Sequence, residues 1–264
     1  MTHVMAELVW NERMMEEYHL MAVAAPEMAA EAKPGQFVHV RVGPTHDPLL
    51  RRPLSVLRAD PDAGRLWMLV KVVGRGTRLL ADMEPGSRID MMGPLGHGWP
   101  EPPPKGDLLL VAGGVGVAPL IFWAERLQAK FPDSSVVSIF GAARDADLAC
   151  WLELAARSDE FYVATEDGSA GEQGLATELL ANHLARRDVG AVYACGPRGM
   201  LVAAARKCAQ ARLACFVAME QWMGCGIGAC LGCAVPAAKG GFVRVCTEGP
   251  VFAAEDIDWE ALAE

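Results

Sequence analysis

The stretch Met223-Gly-Cys-Gly-Ile-Gly-Ala-Cys-Leu-Gly-Cys233 organises the chain, and one further cysteine, Cys246, follows it. The spacing is Cys225-x4-Cys230-x2-Cys233, and twelve residues separate the last of these from Cys246. Four thiolates at such spacing can close on one soft metal centre. The glycines between the cysteines let the backbone adopt positive φ and curl tightly around such a centre. The stretch therefore predicts a metal-binding loop near the C-terminus.

A [2Fe–2S] cluster fits this spacing better than the other structures that cysteines form. Cys-x4-Cys-x2-Cys with a more distant fourth cysteine is the plant-type [2Fe–2S] pattern. A structural zinc site usually has two separate Cys-x2–4-Cys pairs, whereas here the two pairs share a cysteine. Disulfides are a second alternative, but the N-terminus shows no signal-peptide pattern, so we expect a reducing, cytoplasmic location. We therefore assign Cys225, Cys230, Cys233 and Cys246 as cluster ligands.

Length and charge narrow the remaining possibilities. The chain has 264 residues, which is enough for two domains or more. Its net charge of -9 argues against a nucleic-acid partner, because no basic stripe offsets it. No apolar run approaches the ~20 residues that span a bilayer, so we expect no membrane partner. Cys150, Cys208 and Cys215 lie among apolar residues, and we expect them to be ordinary buried thiols.

The N-terminal third contains many short stretches of strand-like length and alternation. Turn signals separate them at Lys33-Pro-Gly35, Asp62-Ala-Gly64 and Glu84-Pro-Gly86. The expected strands are Val4–Val9, His19–Val23, Phe37–Val42, Leu54–Arg58, Leu66–Val72 and Arg88–Met92. Many short strands with regular turns and little helix predict a closed antiparallel barrel.

The first motif of this barrel is Arg51-Arg-Pro-Leu-Ser55. Arg52 is suited to pair with a pyrophosphate, and Ser55 to hydrogen-bond a ring nitrogen of the same ligand. Pro53 excludes a helix interior or a mid-sheet position. A pair of surface arginines is the alternative interpretation.

The second motif is Lys71-Val-Val-Gly-Arg-Gly-Thr77, in which a strand ends in two glycines. We expect a short helix over Thr77–Ala81, with Thr77 as its N-cap. A glycine-rich turn that enters a helix offers N–H groups to phosphate oxygens. A simple strand–turn–helix connection is the alternative.

After the proline-rich linker Trp99-Pro-Glu-Pro-Pro-Pro-Lys-Gly106 the pattern changes. The continuous apolar run Asp107–Ala112 is typical of a buried parallel strand. Further strands are expected at Val136–Phe140, Phe161–Ala164 and Val189–Ala194, and helices from Pro119 to about Lys130 and at Asp147–Arg157, Leu175–His183 and Gly199–Ala211. Strands that alternate with helices predict a doubly wound α/β domain.

Two turns of this domain are expected at the carboxyl ends of its strands, where such sheets bind ligands. The first contains Gly113, Gly114 and Gly116, which would let a pyrophosphate approach the backbone. It is not a G-x-G-x-x-G fingerprint. The second turn is Cys195-Gly196-Pro197, and Cys195 lacks the partner that a nucleophile needs. Their joint occurrence favours a dinucleotide site over two purely structural turns.

The order of these motifs resembles the ferredoxin–NADP reductase superfamily, in which the barrel binds a flavin and the α/β domain a nicotinamide dinucleotide. Within it, the cysteine stretch and Val-Cys246-Thr-Glu-Gly-Pro-Val-Phe252 are similar to the electron-transfer subunits of NAD-dependent dihydroorotate dehydrogenase. Thr165-Glu-Asp-Gly-Ser-Ala-Gly-Glu-Gln-Gly174 also resembles that family. The resemblance covers essentially the whole chain.

The resemblance implies three cofactor sites. It implies FAD contacts from Arg52, Pro53, Leu54, Ser55, Leu69, Val70, Lys71, Gly76 and Thr77, and NAD contacts from Gly113, Gly114, Gly116, Cys195, Gly196 and Pro197. The four cysteines would hold the [2Fe–2S] cluster. Related enzymes often carry an aromatic residue where this chain has Pro53-Leu54, so the residue that stacks on the flavin is unassigned.

The implied protein is multi-domain, α/β and β, with an FAD-binding barrel at 1–102, an NAD-binding α/β domain at 103–213 and a small [2Fe–2S] domain at 214–264. Electrons would pass from the FMN of a catalytic subunit through the cluster and FAD to NAD+, in pyrimidine (UMP) biosynthesis. The chain alone would be a diaphorase, and the complex would contain two copies of each subunit.

Other assignments stay open from sequence. A flavin subunit of another NAD(P)H-dependent complex, such as a ferredoxin–NADP reductase or a sulfhydrogenase, would share these motifs. A redox-sensing or zinc-ribbon module on the same fold is an alternative of a different class. The loop Gly141-Ala-Ala-Arg144, followed by Asp145, does not distinguish NAD from NADP, and only the resemblance favours NAD.

Overall fold

The chain consists of a barrel, a seven-stranded sheet with helices, and a small hairpin. The computed structural model describes residues 1–43, 45, 47–102 and 105–262. Two parts of the predicted domain scheme lie outside the described residues. They are Pro103 and Pro104, in the predicted linker and at the predicted domain boundary, and the last two residues of the predicted C-terminal domain. None of the helices in the described part of the chain has the length and apolar character needed to cross a bilayer.

The N-terminal region forms a closed antiparallel barrel of six strands, as the sequence predicts. Its strands are β1 (Thr2–Met15), β2 (Tyr18–Ala24), β3 (Phe37–Val40), β4 (Arg52–Asp60), β5 (Arg65–Lys71) and β6 (Arg88–Leu95), in the order β1-β2-β5-β4-β3-β6. Two short helices, α1 (Pro26–Glu31) and α2 (Arg75–Ala81), accompany it, and the first was not predicted. Alternate side chains such as Val38, Val56 and Met91 fill the interior.

The start of α2 differs from the expectation. The helix begins at Arg75, and Thr77 is its third residue and not its N-cap. The Thr77 hydroxyl oxygen accepts the backbone N–H of Val73 at 3.0 Å and of Gly74 at 3.2 Å. The Thr77 hydroxyl oxygen therefore accepts hydrogen bonds from the turn that precedes the helix. A threonine at the N-cap, as predicted, would instead accept one from an N–H group further along the helix.

Pro53 lies inside β4, but at a place where the strand has one neighbour. It is opposite His39 of β3, whereas the pairing of β4 with β5 begins only at Val56. A proline without an N–H is tolerated there because no second ladder needs that donor. The open side of β4 is therefore available to a ligand.

The second region is a mainly parallel sheet flanked by helices, as predicted. The strands that follow the barrel are β7 (Asp107–Gly113), β8 (Val136–Ala142), β9 (Glu160–Thr165), β10 (Glu172–Gln173), β11 (Val189–Cys195), β12 (Cys215–Ala218), β13 (Ala234–Pro236), β14 (Phe242–Arg244) and β15 (Val251–Ala253). The helices are α3 (Val117–Lys130), α4 (Trp151–Ala155), α5 (Ala176–Arg186) and α6 (Arg198–Gln210). The sheet order is β10-β9-β8-β7-β11-β12-β15, with the apolar strand β7 in the middle.

The helix expected over Asp147–Arg157 is shorter than predicted. A single 3-10 turn ends at Asp147, and Cys150 adopts a left-handed φ of 56° before α4 begins. The Asp147 carboxylate is engaged by the barrel instead of capping a longer helix. Tertiary contact therefore overrides the helical pattern at this point.

The segment that carries the cysteines is joined to the sheet. β12 adds in parallel to β11, and β15 adds antiparallel to β12. Neither strand was predicted. Between them the chain forms the cysteine loop and the hairpin of β13 and β14. Cys233 and Cys246 pack in the same apolar cluster as Val217 and Phe252, so the loop rests on the sheet core.

Candidate functional site

A cavity of about 790 Å³ lies between the barrel, the sheet and the segment before the cysteine loop. A space of this size is in the range of cofactor sites. Its lining includes the predicted residues Arg52, Pro53, Leu54, Ser55, Leu69, Lys71, Gly76 and Thr77 from the barrel and Cys195, Gly196 and Pro197 from the sheet. Motifs far apart in sequence therefore face one space.

The two arginines of the first motif have different surroundings. Arg51 pairs with both carboxylate oxygens of Asp90 at 2.8 and 2.9 Å and donates to the Asp90 carbonyl at 3.0 Å. Hydrogen bonds from His3 and Arg51 outweigh desolvation and lower the pKa of Asp90. Arg51 thus ties strands of the barrel together. Both arginines line the cavity, and the guanidinium of Arg51 is the one held by the Asp90 carboxylate.

The Arg52 guanidinium lies directly against Gly76 at the start of α2. A Cβ placed on Gly76 would lie 2.5 Å from Nη2 of Arg52, so an alanine there would require the flexible end of that side chain to move. The glycine therefore lets a cation approach the backbone beside the cavity. A guanidinium next to free N–H groups suits the pyrophosphate of a dinucleotide, so these residues fit FAD.

Strand alternation separates the three predicted residues of β5. Leu69 and Lys71 line the cavity, whereas Val70 is fully buried in the barrel interior. The side chain of Val70 therefore faces the barrel interior and not the cavity, and its part in binding FAD stays a prediction.

Lys71 joins the barrel to the sheet domain. Its ammonium group donates to Oδ1 of Asp147 at 2.9 Å, and the hydroxyl of Tyr18 donates to the same oxygen at 3.1 Å. Desolvation opposes both charges, but the hydrogen bonds outweigh it, so the pKa of Lys71 is raised and that of Asp147 is lowered. The ion pair fixes a lysine at the cavity wall.

The glycines of the first dinucleotide turn lie behind the cavity wall. Val115 and Ala118 line the cavity, whereas Gly113, Gly114 and Gly116 are not among its lining residues. A Cβ on Gly116 would lie 2.3 Å from the Cys195 carbonyl oxygen, and one on Gly113 would lie 2.6 Å from Cδ of Pro197. These two glycines let the two predicted turns pack together, as neighbours at one edge of the sheet.

The second turn places the buried thiol of Cys195 at the cavity wall, and the segment after β12 places a carboxylate there. Desolvation raises the pKa of Cys195 well above that of a free thiol, which agrees with its rejection as a nucleophile. Glu220 also lines the cavity, a position that the sequence did not indicate. Its side chain is accessible from the cavity, yet the surrounding protein desolvates it and raises its pKa.

Arg144 lies in the loop whose charges bear on the choice between NAD and NADP, and it forms ion pairs with two carboxylates. Arg144 lies 3.4 Å from Asp147 and 3.8 Å from Glu16. A 2′-phosphate would compete with both carboxylates for this arginine. Arg144 is therefore shared between two carboxylates of the chain.

Backbone N–H groups point at the cysteine sulfurs. Ile227, Ala229 and Cys230 donate to Sγ of Cys225 at 3.5, 3.3 and 3.4 Å. Gly228 and Gly232 donate to Sγ of Cys246 at 3.2 Å and of Cys230 at 3.5 Å. Positive φ values at Gly226, Gly228 and Leu231 produce this curl. Such donors stabilise thiolates and tune an iron–sulfur cluster, so the loop fits one.

The four thiols form two neighbouring pairs, Cys225 with Cys230 and Cys233 with Cys246. Burial opposes ionisation of Cys225, but the N–H donors outweigh it and bring its pKa to about 7. Burial and the neighbouring thiol raise the pKa of Cys246 to about 11. Within the described residues no three ligand side chains gather around a single ion. Two pairs suit a centre with two irons, each of which takes two of the four cysteines.

An ion pair closes the far side of the loop. Arg244 Nη1 donates to the Gly228 carbonyl at 3.0 Å, and Nε donates to Glu248 at 2.9 Å. This hydrogen bond lowers the pKa of Glu248 to about 2. Arg244 thereby holds Gly228, whose own N–H points at Cys246.

His39 is a further residue that the sequence did not indicate. It is fully buried on β3 and faces the loop, and a Cβ on Gly226 would lie 2.6 Å from its Nδ1. Burial lowers the pKa of His39 to about 4, so the ring is neutral at pH 7. A histidine within the otherwise apolar, fully buried run Phe37–Val40 was the available signal.

The cavity also offers two aromatic side chains near the flavin motif. Phe37 is buried, and Trp222 is 87% exposed at the rim just before the cysteine loop. Either ring supplies the flat apolar surface that Pro53-Leu54 lacks. The stacking residue left unassigned by the sequence therefore has two candidates.

Comparison with known proteins finds matches to all three regions. Residues 6–99 match an oxidoreductase FAD-binding domain, 110–206 an oxidoreductase NAD-binding domain, and 220–258 the iron–sulfur cluster binding domain of dihydroorotate dehydrogenase B. The electron transfer subunit of dihydroorotate dehydrogenase B (NAD(+)) from Desulforamulus reducens is 41% identical over 92% of this chain and 93% of its own length. That from Geobacillus thermodenitrificans is 39% identical over 94% and 96%.

A solved structure shares the fold over nearly the whole chain. It is that of NADH-dependent reduced ferredoxin–NADP oxidoreductase, studied for flavin-based electron bifurcation. The TM-score is 0.88 at 31% identity, and the match covers 98% of this chain and 92% of the other.

Proposed function

The chain belongs to the family of electron transfer subunits of dihydroorotate dehydrogenase B (NAD(+)), and we propose that its residues bind FAD, a [2Fe–2S] cluster and NAD in one relay. It is an NAD-dependent oxidoreductase subunit with iron–sulfur, FAD-binding and NAD-binding domains. The relay would carry electrons from a catalytic partner to NAD+, in the synthesis of pyrimidines. The functional divisions 1–102, 103–213 and 214–264 are part of this proposal, as is a cytoplasmic location.

One observation carries the proposal. Residues 219–223 line the cavity and run directly into the cysteine loop. The flavin motif and the second dinucleotide turn face the same cavity. When bound, FAD supplies both two-electron exchange with a nicotinamide and one-electron exchange with an iron–sulfur cluster. A single space lined by the flavin motif, the second dinucleotide turn and the residues that lead into the cysteine loop supports such a relay.

The residues of the chain have distinct roles in this arrangement. Arg52 offers a cation to the FAD pyrophosphate, with Gly76 beside it. Ser55 offers a hydroxyl, and Leu69 an apolar wall that keeps water from the flavin. The N–H groups of residues 227–232 stabilise the thiolates of the cluster ligands.

The partner would be an FMN-containing catalytic subunit in a complex with two copies of each chain. Its contact would be Gly226–Leu231, because apolar side chains flank the cluster loop there. Ile227 is 45% exposed and Leu231 is 63% exposed, although both are large and apolar. Exposed apolar residues around a functional group are typical of a protein interface.

The test is purification of the native complex under anaerobic conditions, with analysis of its cofactors. We expect FAD, iron and sulfide on this chain, and NADH formation when dihydroorotate and NAD+ are added to the complex. The isolated chain should reduce dyes with NADH but should not oxidise dihydroorotate. Zinc without iron or sulfide would end the cluster assignment.

A second function is favoured by the solved structure at 31% identity. In that case the partner would exchange electrons with ferredoxin and NADPH in place of dihydroorotate. Reduction of the purified complex by dihydroorotate, with no response to reduced ferredoxin, distinguishes the first function from the second.

A further inference from the structure

His39 is a polar ring in a place where packing alone favours an apolar side chain. Val38 and Val40 fill the barrel interior, and His39 between them points outward by strand alternation. It is fully buried, and among the described residues neither ring nitrogen has a partner at full hydrogen-bond geometry. A buried polar group without a hydrogen-bond partner destabilises the folded protein. We therefore expect His39 to make a hydrogen bond in the functional protein.

Backbone groups of two functional segments flank the ring. Backbone groups of Arg51 and Cys225 both lie next to the ring. Arg51 directly precedes Arg52 of the flavin motif, and Cys225 is an assigned cluster ligand. The imidazole therefore lies between the flavin-binding strand and the cysteine loop.

The cysteine loop is shaped to fit over this ring. Gly226 has a φ of +72°, and a Cβ on it would lie 2.6 Å from Nδ1 of His39. The N–H groups that point at the Cys225 sulfur begin at the next residue, Ile227. Any shift of the loop relative to the ring would therefore move those donors as well.

We propose that His39 is a positioning residue for electron transfer, whose N–H donates to the Cys225 carbonyl and holds the cysteine loop against the flavin-binding strand. This inference rests on the proposed function, because it requires the cluster and FAD. A neutral imidazole has a single N–H, which serves one of the two flanking carbonyls. With the loop held, the donors at Ile227 and Ala229 stay directed at the sulfur, which raises the reduction potential of the cluster.

The experiment compares His39→Leu, His39→Gln and the control Val40→Ala in the full chain. Leucine keeps the apolar volume and removes the donor, whereas glutamine keeps a donor. Val40 lies on the same strand but faces the barrel interior, so its truncation reports loss of packing alone. Each protein is measured for iron and FAD content, thermal stability, cluster reduction potential by EPR-monitored titration, and the rate of cluster reduction after mixing with NADH.

In His39→Leu we expect a more negative cluster potential and cluster reduction slower by about tenfold or more, with NADH-to-dye reduction retained. His39→Gln should keep most of the wild-type potential and rate. Val40→Ala should lower stability without moving the potential. If His39→Leu fails to assemble a cluster, His39→Gln becomes the test. An assembled cluster with a near wild-type potential in His39→Gln supports the positioning role of His39. A defect equal to that of His39→Leu overturns it.

An unchanged potential and rate in His39→Leu would also overturn the inference. That result is distinct from failure of the proposed function, which would show as a wild-type protein with no iron–sulfur EPR signal. The potential is the decisive readout, because loss of packing alone moves thermal stability and leaves the hydrogen bonds at sulfur in place.

Discussion

The cysteine loop and the cavity beside it are built in opposite ways. Three of the four thiols come from one stretch of eleven residues, and the loop supplies its own N–H donors to the sulfurs. The cavity draws its walls from the barrel, the sheet and the segment before the loop. A site built mainly from one short segment depends on a few residues that have no substitute. In a cavity assembled from distant segments, the free energy of binding is spread over many contacts. Single substitutions should therefore affect the loop more than the cavity.

The largest effect is expected from Cys246→Ser. Cys246 is buried in the sheet core and accepts the Gly228 N–H, so its loss removes a ligand that nothing nearby replaces. We expect loss of iron and sulfide and loss of electron transfer to the partner, with NADH-to-dye reduction persisting. Metal analysis and the two assays measure this.

The matched control for this variant is Cys208→Ala. Cys208 is also a fully buried thiol of the same apolar cluster, but it lies on α6, where its neighbour is the thiol of Cys215. It should keep its full content of iron. A Cys246→Ser protein with wild-type iron and sulfide would contradict the assignment of the fourth ligand.

An intermediate effect is expected in the cavity, from Gly76→Ala. The new Cβ would displace the Arg52 guanidinium, which lies 2.5 Å from its position. We expect FAD affinity to fall by about tenfold, which corresponds to about 1.4 kcal/mol. Flavin retention during dilution, followed by fluorescence, measures the change.

Gly43→Ala serves as the control for the cavity variant, because a Cβ there meets no atom of the described part of the chain within 4 Å. Its FAD affinity should equal that of the wild type. Equal affinity in Gly76→Ala would show that Arg52 does not need its present position to bind the flavin. FAD binding would then be even less sensitive to substitutions in the cavity wall than we expect from a wall with many contacts.

The smallest effect is expected at the join between barrel and sheet, from Asp147→Asn. The variant loses the charge that pairs with Lys71 at 2.9 Å. Because the pair is partly exposed, we expect a loss of about 1 kcal/mol and a fall in Tm of about 2–4 °C. Asp145→Asn is the control, since its exposed side chain accepts only the N–H of the adjacent residue.

The pH dependence of Asp147→Asn has a definite sign. The lowered pKa of Asp147 means that its contribution is present above the unfolded value near ~3.9 and is lost as pH falls through the folded value. The raised pKa of Lys71 means that its contribution is lost only as pH rises above ~10. The difference in Tm between wild type and variant should be widest near neutral pH and should close in acid. A constant difference in acid would rule out the ion pair as its source.

The amino-acid sequence determined the features that depend on local spacing. The cysteine spacing indicated the ligand set, and alternation and periodicity predicted the six barrel strands and the order of strands and helices in the sheet domain. These signals are readable because each strand, helix or loop carries its pattern within a few consecutive residues. The predicted helix over Asp147–Arg157 is too long for the same reason. Its helical pattern begins at Asp147, but the side chain of Asp147 pairs with Lys71 of the barrel and the helix starts only at Trp151.

Tertiary structure alone decided which distant residues meet. It placed β12 and β15 on the sheet, His39 beneath Gly226, and Gly116 against the Cys195 carbonyl. No local pattern encodes such contacts, because they arise when separate segments pack and compete for the same space. The sequence therefore specified the chemistry of the sites, and packing of the barrel against the sheet specified their distances and the side chains that hold them in place.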